Sequence, residues 1–158
     1  MNTKSIYILF LVLGIASINV YSQSTNQNYI LTRTYTNETG STYLEQVQYF
    51  DGLGRPMQMV QKAITPGTDP SARKDLIILQ EYDGFGREDK AWLPAAIGGN
   101  NGAYVTPATV KTQAIATNGG DQKPYSMPVY ESSPLNRVLK QFSPGQDWHN
   151  NSKSVETA

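Results

Sequence analysis

A seven-residue pattern that occurs twice limits this chain more than any other feature. Tyr49-Phe50-Asp51-Gly52-Leu53-Gly54-Arg55 returns 32 residues later as Glu81-Tyr82-Asp83-Gly84-Phe85-Gly86-Arg87. Both copies read aromatic, Asp, Gly, apolar, Gly, Arg. An aspartate at the start of a turn can accept backbone N–H groups. Two glycines one residue apart permit positive φ in a tight reversal. The arginine then opens a return strand, close enough to pair with the aspartate. Phe50 and Tyr82 end the incoming strands and can pack on partner strands. Each copy is therefore expected to be a β-hairpin, with return strands over residues 56–63 and 88–93. A phosphate loop is the competing reading of Gly52-Leu53-Gly54 and Gly84-Phe85-Gly86. Neither continues into GxGxxG or ends in GK[ST], so the hairpin prevails.

A third, altered copy runs from Val129 to Val138. Tyr130 and Glu131 precede the turn and Arg137 follows it. Two extra residues and Pro134 replace the glycine pattern. Val138, Leu139 and Phe142 then suggest another strand, closed by Ser143-Pro144-Gly145. Upstream, residues 29–36 alternate as a strand, with Tyr29, Leu31, Arg33 and Tyr35 on one face. Residues 37–41 form a turn, and 42–50 a second strand. Breaker clusters at 65–70 and 98–102 read as loops, as does 118–128. One short helix is expected near 107–116. Thr106 would cap it, Pro107 suits its first turn, and Val110, Ala114 and Ile115 form its apolar stripe. The fold class expected is all-β for the most part, a meander of antiparallel hairpins.

The N-terminus carries an export signal. Lys4 precedes an apolar run from Ile6 to Ile18, and Val20 and Ser22 occupy the −3 and −1 positions of a cut after Ser22. These are the parts of a secretory signal peptide. A transmembrane anchor would need roughly 20 apolar residues. No cysteine follows the run, so a lipoprotein anchor is excluded. The expected divisions are a signal peptide (1–22), a polar leader (23–28), a β-rich module (29–149) and a polar tail (150–158). No membrane span is expected after cleavage.

Lys4 leaves with the signal, so 12 basic residues face 13 acidic ones. That balance argues against a nucleic-acid-binding surface. The chain has no cysteine, which excludes disulfides, zinc–thiolate sites and thiol catalysis. Leu, Ile, Val and Phe form about 18% of the exported part, near the roughly 20% below which disorder is common. Low net charge, and eight tyrosines and two tryptophans in the part after residue 22, point instead to a folded, thinly packed β protein.

The pattern Asp-x-x-Gly-Arg after an aromatic residue resembles the YD repeat of Rhs-type proteins. Asp51–Arg55 and Asp83–Arg87 match it, with Phe50 in place of the first tyrosine. The stretch from Glu131 to Gln141, followed by Pro144-Gly145 and Trp148, is similar to a domain of unknown function that precedes YD repeats in large exported proteins of Gram-negative bacteria. The resemblance covers about Tyr29 to Trp148. It implies hairpins of YD-repeat type in a longer β-sheet wrap, and structural rather than catalytic repeat residues. It also implies further YD repeats as partners, with this chain a fragment of a longer protein. The residues carrying the expectation are Phe50, Asp51, Gly52, Gly54, Arg55, Tyr82, Asp83, Gly84, Gly86, Arg87, Tyr130, Glu131 and Arg137.

His149, beside Asp147 and Trp148, is the single histidine, and Asn150 and Asn151 suggest an exposed tail there. It has no second histidine to complete a metal site, and catalysis would need a nucleophile brought within hydrogen-bond reach. Asp51, Asp83, Glu88 and Asp89 could bind calcium, but each hairpin offers one turn aspartate where calcium loops alternate several. Asn37-Glu38-Thr39 and Asn150-Asn151-Ser152 match the glycosylation sequon, a short pattern of little weight. Exposed tyrosines could stack on a cell-surface glycan. The function expected is a non-catalytic, cofactor-free structural module of an exported or cell-surface protein, with glycan binding the alternative. Val138–Phe142, guarded only by Lys140, is expected to be an open sheet edge.

Overall fold

The computed structural model describes residues 26–65, 69 and 72–157. The signal peptide expected over residues 1–22 lies outside the described residues. Nine strands and two helices follow in order: β1 (Asn28–Tyr35), β2 (Tyr43–Phe50), β3 (Pro56–Gln61), β4 (Lys74–Tyr82), β5 (Glu88–Trp92), β6 (Ala95–Gly98), α1 (Pro107–Thr117), β7 (Tyr125–Tyr130), β8 (Val138–Phe142), α2 (Gln146–Asn150) and β9 (Val155–Glu156). All pairings are antiparallel, in the order β1-β2-β3-β4-β5-β7-β8-β9, with β6 beside β4. The sheet is open, not closed into a barrel. The protein is thus mostly antiparallel β, as the hairpin pattern requires.

β5 and β6 run along the same side of β4. Gln80 faces Ala91, whereas Ile77 faces Ala95. Pro94, which has no N–H to donate, sits at the break between them. One face of β2–β4 forms the core. Val47, Val60 and Ile77 lie in register across three strands and are fully buried. Tyr49, Gln58 and Leu79 form the next buried row. Burying an aliphatic side chain contributes about 1.5–3 kcal/mol. The lid comprises residues 99–105 and α1, which inserts Val110 and Ala114. Two buried polar side chains tie the lid down. Gln58 donates to the Val105 carbonyl at 2.8 Å and accepts from its amide at 3.0 Å. The Asp75 carboxylate accepts from Gly102 N at 2.7 Å and Ala63 N at 2.9 Å. Tyr49 Oη donates to Gly102 O at 2.7 Å.

The helix lies where the sequence places it. Thr106 is extended at φ −60°, ψ 141°, and its hydroxyl accepts from Thr109 N. Pro107 follows in the first turn. Lys111, on the helix, pairs with Glu81 of β4 at 2.6 Å.

Several expectations are corrected. Val138–Phe142 is not an open edge, because β9 pairs it through Lys140↔Glu156 and Gln141↔Val155. Lys140 does not stand guard but bonds Glu156 at 2.7 Å. The long exposed edge is β1 instead, paired only to β2, with every residue exposed. The tail expected from residue 150 contains β9, and Asn150 still belongs to α2. Asn28, placed in the leader, already opens β1. The expected loop 118–128 ends early, since β7 begins at Tyr125, whose ring lies 4.7 Å from Trp92. Pro128 argues against a strand, and β7 meets β5 only through Ser126 and Tyr125, short of that proline. β6 holds two alanines and a glycine beside one β-branched residue, Ile97, too little β-propensity to announce a strand.

Candidate functional site: a hairpin ladder

The two repeats fold into near-identical turns. Asp51 N donates to Arg55 O at 3.0 Å, and Gly54 N to Asp51 O at 3.0 Å. One carboxylate oxygen of Asp51 accepts from Leu53 N and Arg55 N, both at 2.9 Å, and the other from Arg55 Nε at 2.8 Å. Around Asp83 the same bonds recur. Asp83 N reaches Arg87 O at 2.8 Å and Gly86 N reaches Asp83 O at 2.9 Å. The Asp83 carboxylate accepts from Phe85 N at 2.9 Å, Arg87 N at 3.0 Å and Arg87 Nε at 2.7 Å. The turn amides converge on a side-chain anion that the sequence itself supplies.

Only the second glycine of each pair has positive φ. Gly54 lies at 78° and Gly86 at 82°, while Gly52 and Gly84 do not enter that region. The expectation that both glycines serve the reversal is corrected: the first has open space about it and no special angle.

The third copy reaches the same result with other residues. Glu131 N donates to Arg137 O at 2.9 Å. Its longer side chain spans the two inserted residues, accepting from Arg137 Nε at 3.1 Å and Nη2 at 2.9 Å. Ser133 Oγ accepts from Leu135 N at 3.2 Å, taking one role of the aspartate. Asn136, at φ 55°, stands where the glycine would be. Asparagine tolerates this region better than most residues.

Successive hairpins are joined by rungs. The Arg55 guanidinium lies 4.3 Å over the Tyr82 ring, and Tyr82 Oη donates to Pro56 O at 2.8 Å. Arg87 lies 4.4 Å over the Tyr130 ring, and Tyr130 Oη donates to Glu88 O at 2.9 Å. Arg55 and Arg87 are thus each aligned by their own turn acid and covered by the next hairpin's tyrosine. Each hydroxyl bonds the carbonyl one residue past that arginine. A cation over an aromatic face contributes about 0.5–2 kcal/mol. Phe50, the first aromatic of the series, needs no hydroxyl, as no arginine hairpin precedes it among the described residues.

Some ladder residues escaped the sequence reading. Gln48 donates across the hairpin to Gln58 O at 3.0 Å, and Gln80 to the equivalent Lys90 O at 3.4 Å. They stand at the repeat's own spacing of 32, so extending the alignment two residues upstream of the aromatic finds them. Ser133 and Asn136 left no such signal.

The remaining candidates are placed as follows. Glu88 and Asp89 do not join the turn aspartates, and Asp89 pairs with Lys90 at 2.7 Å. Among the described residues no three His, Asp or Glu side chains cluster to hold a metal ion. His149 is not in an exposed tail: its ring stacks on Phe142 at 5.2 Å, and Nε2 lies 3.1 Å from Tyr125 O. Asn37 is engaged in its turn, where its side-chain oxygen accepts from Ser41 N and Thr42 N. No described helix is long and apolar enough to cross a membrane. The tyrosines divide: Tyr49 is fully buried, whereas Tyr29, Tyr35 and Tyr43 are more than two-fifths exposed.

The turn acids are tuned by this geometry. The Arg55 amide, followed by its side chain and the Leu53 amide, holds Asp51 below the ordinary 3.8, against opposing desolvation. Desolvation is the largest influence on Asp83 and pushes upward, but the Arg87 side chain and amide and the Phe85 amide outweigh it. Glu131 is lowered chiefly by the Arg137 side chain. Groups with depressed folded-state values add stability above their unfolded values and lose it as pH falls through the folded ones. The hairpins should therefore weaken below about pH 4. Thermal unfolding between about pH 5 and pH 2 should show a shallower loss in an Asp51→Asn, Asp83→Asn double variant than in wild type. Parallel curves would assign the acid sensitivity elsewhere.

Tyr82→Phe keeps the ring over Arg55 and removes the bond to Pro56 O. The expected loss is about 0.5–1.5 kcal/mol in urea unfolding. No change in midpoint would mean the hydroxyl exchanges its partner for water at no cost.

Three turn-anchored hairpins bound edge to edge by tyrosine–arginine rungs define a β-hairpin repeat module. Residues 22–158 match the family described as Domain of unknown function (DUF6443), and the chain belongs to that family. No curated protein and no solved structure matches it.

Proposed function

We propose that this chain is a non-catalytic structural module of an exported protein of Rhs, or YD-repeat, type, contributing hairpins to a larger shell or surface assembly. The observation that carries this reading is the ladder. Its side chains are spent on each other and on backbone groups, aligning hairpin upon hairpin. Repeat architectures gain stability by such neighbour contacts. The setting is the outside of a Gram-negative cell, secreted or surface-bound, reached through the signal peptide of residues 1–22. Mass spectrometry of the exported product should give Gln23 as its first residue. An intact Met1 on a released protein would defeat the export reading.

A second reading, recognition of cell-surface glycan, draws on β1 and β2. Tyr35 of the edge strand β1 and Tyr43 of β2 meet edge to face at 5.8 Å, and both are exposed. A glycan array probed with the chain from Gln23 separates the two. The structural reading expects no selective binding. A selective glycan signal abolished by Tyr35→Ala and Tyr43→Ala would replace it.

A further inference from the structure

We propose that Arg137 and the Val138 carbonyl form the receiving end of the ladder, built to take the tyrosine of a further hairpin of the same aromatic-Asp-x-x-Gly-Arg type. This rests on the structural reading above and names the site through which it would extend.

Three observations converge. The first is covering. Arg55 and Arg87, each beneath a tyrosine, have side chains 32% and 22% exposed. Arg137 is held by its turn acid through Nε and Nη2, where its counterparts are held through Nε, yet its side chain is 71% exposed. Among the described residues no ring lies over it.

The second is register. Counting on from Gln58↔Leu79 brings Tyr82 opposite Arg55, and from Ala91↔Ser126 brings Tyr130 opposite Arg87. The rung is a cross-strand pair at the mouth of each turn. β9 approaches β8 in the same antiparallel sense, with Lys140 facing Glu156. Arg137 stands three residues before Lys140, so the residue facing it is the third beyond Glu156. A tyrosine there would carry its ring over Arg137 and its hydroxyl to Val138, the counterpart of Pro56 and Glu88.

The third is polarity. Phe50, at the other end, is the aromatic without a hydroxyl and has no arginine of a preceding hairpin to cover. The series therefore starts at Phe50 and runs toward Arg137, where the acceptor half of a rung stands uncovered.

The test extends the full chain. The sequence of Tyr82–Leu93 is placed directly after Ala158, so that the copied tyrosine is third beyond Glu156. The NMR resonances of the Arg137 guanidinium are followed, with those of Arg55 and Arg87 as internal standards for stacked arginines and for an intact fold. The expected result is an upfield ring-current shift of Arg137 into their range, together with amide-exchange protection of the added hairpin. Both effects should be lost when the added tyrosine is changed to alanine, and weakened by Arg137→Gln. An added hairpin that is protected while Arg137 stays unmoved overturns this inference and leaves the structural reading standing. An added hairpin that gains no protection overturns both.

Discussion

Gln58→Leu should destabilise the protein by about 2–6 kcal/mol, read as a fall in the urea midpoint. Gln58 is 1% exposed, and its amide acts as a short piece of strand, bonding both the carbonyl and the amide of Val105. Leucine matches the volume but offers neither bond. Two backbone groups would then be stranded in the core, each costing about 1–3 kcal/mol. The loss should be local before it is global. Residues 99–105 should exchange their amides faster while β2–β4 stay protected, because the lid is what Gln58 holds. A midpoint equal to wild type would show that water or a shifted lid satisfies Val105 without the glutamine.

Gly86→Val should cost more than Gly54→Val, and both more than Gly84→Val. A β-branched residue at positive φ costs on the order of 1–3 kcal/mol. Gly54 at 78° and Gly86 at 82° share that strain. Gly86 carries a second one: a Cβ there would stand 2.9 Å from Arg55 Nη1, whereas nothing lies within 4 Å at Gly54. The substitution would therefore press on the arginine that Tyr82 covers and disturb the first rung from the second hairpin. Gly84 lacks both features and should tolerate valine with little loss. Leu53→Thr, at a tip 80% exposed, should also fall within about 0.5 kcal/mol. Thermal unfolding of the five proteins checks the order. Equal stability of wild type, Gly54→Val and Gly86→Val would rule out the turn geometry.

The hairpins were legible because their bonds are local. Each turn aspartate finds its amide partners two and four residues ahead, and its arginine four ahead, so one short string specifies all of them. The α1 cap was legible for the same reason, Thr106 meeting Thr109. β6 and β7 were not. Ala95-Ala96-Ile97-Gly98 becomes a strand because β4 offers a free edge beyond Pro94, and Tyr125 is drawn in by the Trp92 ring. Neither cause is written in the segment's own propensity.

What the amino-acid sequence determined by itself was the class of fold, the three reversals and the acid–arginine pair that closes each. The acid, the positive-φ residue and the arginine of each turn lie within seven positions of one another. Tertiary structure alone decided which residues lie between sheet and lid, where the exposed edge falls and how hairpins are joined. Tyr82 meets Pro56 across 26 positions and Tyr130 meets Glu88 across 42, while Gln58 meets Val105 across 47. Such partners are chosen by strand order and register, which depend on how every intervening segment packs. A string such as Gln58-Met59-Val60-Gln61 therefore announces a strand, but it does not say that one glutamine is fully buried and the other only partly. That follows only from the side of the sheet on which α1 and residues 99–105 come to rest.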